Sequence, residues 1–315
     1  MITSPPLFER LSRERRLTIV IVLNLAIVAA QTVTGVIAGS LGLLADAGHN
    51  LADVGAVALS WWAVRLSRRR PTASRSFGWH RSTVLAAQAN AAAILAVTAL
   101  IVFEAIRRLG DPADVRGGVV IVAALGALAG NSFSVLLLRD SRHDLNMRSA
   151  MLHMIGDVAA SAGVAVAGFV IFVTGGNFWV DPVVSLAVGL LITREALRLL
   201  RATTDVLLEA TPAGLDLAVL VDAIAADPSV DDVHDVHAWA LSSDVHALSA
   251  HVVMNGHPTL EEAQVVGDRL KRLMAEQFRI THATLELECE PCMDDDRDPC
   301  AMDGLTPSFE HRHAH

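Results

Sequence analysis

"LLADAGHNLADVGAVALS", residues 43–60, is an apolar stretch that nevertheless holds Asp46, His49 and Asp53. A helix crossing about 30 Å of hydrocarbon needs roughly 20 predominantly apolar residues. The stretch lies inside such a window, residues 41–64. Read as a membrane span, it places a histidine and two carboxylates in a medium that penalises ionisable groups unless they serve a site. Comparable windows lie near residues 17–39, 83–105, 118–138, 145–173 and 178–200, and together they predict six transmembrane helices. An even number of spans leaves both termini on the same side.

The composition agrees with a membrane protein. Of 315 residues, 52% are hydrophobic and 19% charged, the mean hydropathy is +0.44, and the apolar residues crowd into the first two thirds. The segment before the first window, "ITSPPLFERLSRERR", is polar and basic. No small-residue cleavage site follows it, so the first window reads as a span rather than a secretory signal. Arginines set the orientation. Arg10, Arg13, Arg15 and Arg16 precede the first window, Arg65, Arg68, Arg69, Arg70, Arg75 and Arg81 follow the second, and Arg139, Arg142 and Arg148 follow the fourth. The opposite loops hold only Arg107, Arg108 and Arg116. Positive residues mark the cytoplasmic side, which places both termini there, in a plasma (inner) membrane.

The last third differs in kind. Residues 213–315 carry 20 Asp and Glu against 6 Lys and Arg, whereas residues 1–212 carry 14 against 19. That asymmetry excludes nucleic acid as a partner and indicates an acidic domain hung below a membrane domain. Within it, "LDLAVLVDAIAAD" has helical spacing, "VDDVHDVHAWAL" and "DVHALSAHVVM" read as strands, "TLEEAQVVGDRLKRLMAEQF" returns to helix, and "HATLELE" alternates. The αββαβ order predicts a small α+β, ferredoxin-like sheet with helices on one face. The division is a cytoplasmic segment over 1–16, a six-helix transmembrane domain over 17–208, the ferredoxin-like domain over 209–292, and an acidic, histidine-containing tail over 293–315. So small a core draws further stability from a second copy or a bound metal.

"MLHMIGDVAASAGVAVA", residues 151–167, repeats the arrangement of the opening stretch, with His153 and Asp157 again four apart. Residues at i and i+4 share a helix face. Two such helices face to face supply two imidazoles and two carboxylates near mid-membrane. A single polar residue in a span can be a helix-packing hydrogen bonder, but a pair of pairs points to a site. Neutral imidazoles with ionised carboxylates carry a charge of −2, which a divalent cation cancels. Without metal, adjacent carboxylates take up protons, so loading expels protons and protonation expels metal. Four N and O donors suit tetrahedral Zn²⁺, with Co²⁺ and Cd²⁺ as alternatives. Asp46 lies on roughly the same face, as an access carboxylate, as a group supporting the ligands, or in a simple interfacial role. An intramembrane metalloprotease would need HExxH, and here Asn50 and Leu51 follow His49. The chain therefore reads as a transporter, not an enzyme.

"DAGHNLADV", "FGWHR", "DLNMRSAMLHMIGD" and "VHDVHAWAL…LSAHVV" resemble the cation diffusion facilitator family of zinc transporters, in the subgroup with His and Asp in both transport helices. The resemblance covers residues 15–292 and implies a homodimer exporting Zn²⁺ from the cytoplasm, with protons as counter-ion. By position, His49, Asp53, His153 and Asp157 fall on the family's transport site, and the basic residue of its dimer interlock falls on Arg81, with Glu209 in "DVLLE" as acidic partner. Residues matching His234 and His251 bind metal in the family's cytoplasmic domain, and His282, Glu288, Cys289 and Cys292 stand at the third strand as further ligands; solvated strand histidines are the alternative. His237 falls on the opposite face in a structural role.

Two departures from the family pattern stand out: the loop "RDSRHDLN" lacks a long histidine-rich insertion, and Thr83 stands where many relatives have Glu. Three cysteines in a cytoplasmic segment argue against disulfides, and "CEPC" is half of a soft-metal site. His311, His313 and His315 form either a weak metal collector or plain polar tail. In the spans, Asn24, Gln31, Gln88, Asn90 and Asn131 fit interhelical hydrogen bonds, while Gly35, Gly39, Gly126 and Gly130 fit close helix approach. The resulting expectation is a Zn²⁺/proton antiporter, with an exporter mainly of Co²⁺, Cd²⁺ or Ni²⁺, or a non-transporting metal sensor, as alternatives.

Overall fold

Six long helices occupy the first two thirds of the described chain: α1 (Arg13–Ala38), α2 (Leu41–Ser67), α3 (Ser82–Gly110), α4 (Gly117–Leu138), α5 (Leu145–Thr174) and α6 (Val180–Leu207). They come from a computed structural model that describes residues 13–138, 145–242 and 245–290. By length and composition, four of these helices can cross a membrane, over Thr18–Ala38, Ser82–Gly110, Gly117–Leu136 and Ile155–Thr174. α2 and α6 match them in length but carry Asp46 and Asp53, or Asp181, Arg194 and Glu195. The bundle is apolar outside as well as inside, with Leu100 71%, Phe103 70% and Val122 75% exposed. That is the pattern of a surface solvated by lipid.

Sequence explains the tight places in this bundle. α1 stops at Gly39, whose φ of +69° is left-handed and open to glycine. α2 then starts at once, and its first amides meet a carboxylate from far along the chain. Asp181 of α6, 1% exposed, accepts from Leu41 N at 2.7 Å, Ser40 Oγ at 2.5 Å and Gly42 N at 3.3 Å. A helix leaves its first N–H groups without internal partners, and an anionic side chain at that end is favourable. α4 and α5 approach closely at Gly117 and Gly168, where an added Cβ would lie 2.7 Å from Phe172 N and 2.8 Å from Val120 Cγ1 respectively. Gly130 serves similarly against Ile27. Gly126 meets nothing within 4 Å, so spacing of small residues by itself did not mark the contact points.

The described residues form two compact units, one made of the chain up to Trp62 with Ala86–Leu200, the other of Ala63–Leu85 with the chain from Arg201. The second unit contains α7 (Leu217–Ala225), β1 (Val230–Ser242), β2 (Val245–Met254), α8 (Leu260–Phe278) and β3 (Ile280–Glu288), the expected αββαβ order. β1 pairs antiparallel with β2, and β2 parallel with β3, so β2 is central and α8 is the crossover. Asp216 caps α7, and a Thr259–Glu262 capping box starts α8. Leu220, Ile224, Leu248, Leu270, Met274 and Ile280 make the core between helices and sheet. Each such side chain, fully buried, contributes about 1.5–3 kcal/mol.

Candidate metal centre

α2 turns Asp46, His49 and Asp53 toward its neighbours, and α5 brings Asp157 to meet them. His49 Nε2 lies 3.2 Å from Asp157 Oδ1 and 3.8 Å from Asp53 Oδ2. One ligand atom from each of the three residues falls within 4.8 Å of the others, the reach of a single cation. Asp157 is 4% exposed, and its Oδ1 makes no hydrogen bond among the described residues. When ionised, two carboxylates beside one neutral imidazole carry net negative charge that a bound cation offsets. His153 lies in α5 one turn before Asp157; its side chain lies outside the described residues. A cavity of about 160 Å³ borders His49 between α2, α3 and α6, lined by Gly48, Asn90, Val97 and Ile192 among others.

Asp46 does not face an access path. It is fully buried, and its Oδ2 accepts from Gln31 Nε2 of α1 at 2.5 Å and from Ser161 Oγ of α5 at 2.9 Å. The access role expected from sequence is corrected accordingly, because Asp46 is tied between helices instead of open to water. Gln31 and Asn131 do make the interhelical hydrogen bonds expected of them.

A second cluster lies on the sheet of the other unit. The β1–β2 register sets His234 opposite His251, and the parallel register brings Glu288 at the end of β3 beside them. His251 Nδ1 is 2.8 Å from Glu288 Oε1, and His234 Nε2 is 3.5 Å from Glu288 Oε2. These three residues also offer ligand atoms within 4.8 Å of one another. Both ring nitrogens of His234 are buried without a hydrogen bond among the described residues. Two imidazoles and a carboxylate are a donor set that fits Zn²⁺.

His282 does not join this cluster. It pairs with Ala247, several residues along β2 from His251, and its ring meets Phe77 edge-on at 5.4 Å. Strand register, not histidine content, decides this. Cys289 is exposed just past β3; Cys292, Cys300 and the tail histidines lie outside the described residues. His237 turns to Asp235, with Nε2 2.9 Å from Oδ1.

Sequence reading missed Asp235 and Glu286, which lie 3.6 Å and 3.4 Å from His251 Nε2. Glu286 was findable, since it stands two residues before Glu288 and alternation puts both on one sheet face. Asp235 was not, because it sits at a bulge in β1 with φ +47°. Elsewhere in this unit, Arg81 Nη2 and Glu209 Oε1 pair at 2.6 Å.

Comparison with known proteins extends these findings. Residues 17–208 match the model of the cation efflux transmembrane domain, and residues 212–290 that of the cation efflux protein cytoplasmic domain. The zinc transporter ZitB of Escherichia coli (strain K12) is 36% identical over 305 residues, covering 95% of this chain and 94% of that protein. The metal cation efflux system protein CzcD of Cupriavidus metallidurans is 36% identical over 281 residues, covering 89% and 88%. A cadmium, cobalt and zinc/H(+)-K(+) antiporter of Bacillus velezensis is 29% identical over 286 residues, covering 90% and 91%.

Proposed function

Because this chain belongs to the cation efflux, or cation diffusion facilitator, family of membrane transporters and not of enzymes, we propose that it exports Zn²⁺ from the cytoplasm in exchange for protons. The observation that carries this reading is the gathering of His49, Asp53 and Asp157 within reach of one cation. His153, one turn from Asp157 on α5, completes a His₂Asp₂ set. The metal is the substrate. Four protein donors of this kind match the tetrahedral preference of Zn²⁺. All four bind metal only when deprotonated, so protons compete with Zn²⁺ for one site, and a proton gradient drives exchange through it.

Both termini face the cytoplasm, as the arginine distribution requires, and the protein resides in the inner membrane. It works as a homodimer; Arg81 and Glu209, the positions of the family's interlock, pair here within one chain and stand ready to join the partner's pair. His234, His251 and Glu288 hold a second Zn²⁺ in the cytoplasmic domain. A reading with Co²⁺ or Cd²⁺ as principal substrate draws support from the name of the Bacillus relative, but the mixed N and O donors suit zinc.

The test is Zn²⁺ uptake into inside-out vesicles with a pH dye following the opposite flux, for the parent and for Asp157→Ala. Zinc entering as protons leave, with both fluxes lost in the variant, is the expected result. A parent that moves no divalent metal under a proton gradient would make the cluster a sensory clamp.

A further inference from the structure

Four helices meet at Asp46. Its Oδ2 joins Gln31 of α1 to Ser161 of α5, Asn50 Nδ2 of α2 donates to Gln31 Oε1 at 3.2 Å, and Asn131 Nδ2 of α4 donates to Ser161 Oγ at 3.4 Å. Every member of the network is at most 1% exposed. Its two ends abut the metal ligands, since Asp46 stands one helical turn before His49 and Ser161 one turn after Asp157. We propose that Asp46 is a positioning residue which clasps α2 to α5 through its Oδ2, fixing the gap across which His49 and Asp157 face each other and so the size of divalent cation that the site accepts.

A cation site discriminates by the spacing and rigidity of its ligands as well as by their type. His49 and Asp157 come from different helices, so their separation is no stiffer than the helix contact that sets it. Inside the bundle no water competes for the donors, so the two hydrogen bonds to Oδ2 hold the helices at a fixed distance. The other oxygen, Oδ1, is buried with no hydrogen bond among the described residues. An Asn amide nitrogen therefore fits in its place without displacing a donor, while the Asn oxygen takes over the clasp.

This proposal rests on the metal-site reading above, and the experiment separates the two. Zn²⁺ KM, kcat and Cd²⁺ competition are measured in proteoliposomes for the parent, Asp46→Ala, Asp46→Asn, Ser161→Ala and Asp157→Ala. Asp46→Ala is expected to raise the Zn²⁺ KM about tenfold, the lower end of the effect of losing a supporting partner. It should change kcat less and reduce the preference for Zn²⁺ over Cd²⁺. Asp46→Asn should stay within about threefold of the parent in both respects. The proposal is overturned if Asp46→Ala leaves KM and preference unchanged, or if Asp46→Asn is as impaired as Asp46→Ala. Should Asp46→Ala not be recovered as folded protein, Ser161→Ala, which removes one donor, must raise KM about threefold, and an unchanged KM overturns the proposal. Asp157→Ala transporting like the parent would instead defeat the metal-site reading itself.

Discussion

His49 of α2 and Asp157 of α5 face each other with Nε2 and Oδ1 3.2 Å apart. On the proposed site, α2 and α5 thus each contribute a donor to one cation. Replacing either residue by Ala should lower Zn²⁺ affinity by more than the roughly 10- to 100-fold typical of losing a group that merely supports a ligand. Isothermal titration of detergent-purified protein, with the cytoplasmic site disabled by His234→Ala, would check it.

In the cytoplasmic domain, His234→Ala, His251→Ala and Glu288→Gln should each weaken Zn²⁺ binding, while His282→Ala should leave it intact, because His282 packs on Phe77 away from the cluster. Zinc at about 100 times its dissociation constant should stabilise this domain by about 2.7 kcal/mol. Chelation should remove that gain, as followed by hydrogen exchange across β1 and β2 of the full-length protein.

Gly117→Ala would push a methyl to 2.7 Å from Phe172 N, a backbone atom. Overpacking of this sort costs about 1–3 kcal/mol, so the variant should melt earlier in detergent. Gly126→Ala meets open space and should melt like the parent. Equal melting of all three proteins would show that α4 and α5 pack more loosely than described.

The Arg269 guanidinium, bonded to Asp227 by Nε and Nη2 at 2.7 Å each, holds the Asp227 carboxyl below its ordinary 3.8. A carboxyl lowered on folding stabilises above its unfolded pKa and loses that contribution as pH falls through the folded one. The α8 protection that the pair provides should hold down to about pH 4, the unfolded value, and fade below it. Arg269→Ala should reduce protection at pH 7 and narrow its difference from the parent in acid, as measured by hydrogen exchange corrected for intrinsic rate.

Arg81 and Glu209 are partly exposed, at 35% and 61%, and such pairs contribute about 0.2–1 kcal/mol. Arg81→Glu should therefore melt nearly like the parent while weakening transport and dimer recovery. The double reversal Arg81→Glu with Glu209→Arg should restore both. Failure of the double variant, with each single one impaired, would mean that the two side chains act separately.

Periodicity carried most of the architecture, because a bilayer allows few solutions and Gly117–Leu138, 22 residues without a charged side chain, is long enough to span it. The four-residue spacing of His49 with Asp53, and of His153 with Asp157, was legible for the same reason: a helix fixes which residues share a face. What stayed hidden depended on relations between elements. His282 reads like His234 and His251 until strand register moves it four residues along β2. Asp46 reads like an access group until Gln31 and Ser161 close on it. Asp235 enters the second cluster only through a bulge that no local pattern announces.

Asp181 lends its carboxylate to the start of α2. The donors it satisfies are buried, and an unmet buried donor costs about 1–3 kcal/mol, so α2 does not slide along or peel from α6 at that end without that penalty. α2 is moored to α6 at that end, and near its other end Ser82 Oγ donates to Ala63 O. On the proposed transport cycle, a movement of His49 that keeps these hydrogen bonds carries the start of α2 and the start of α6 together.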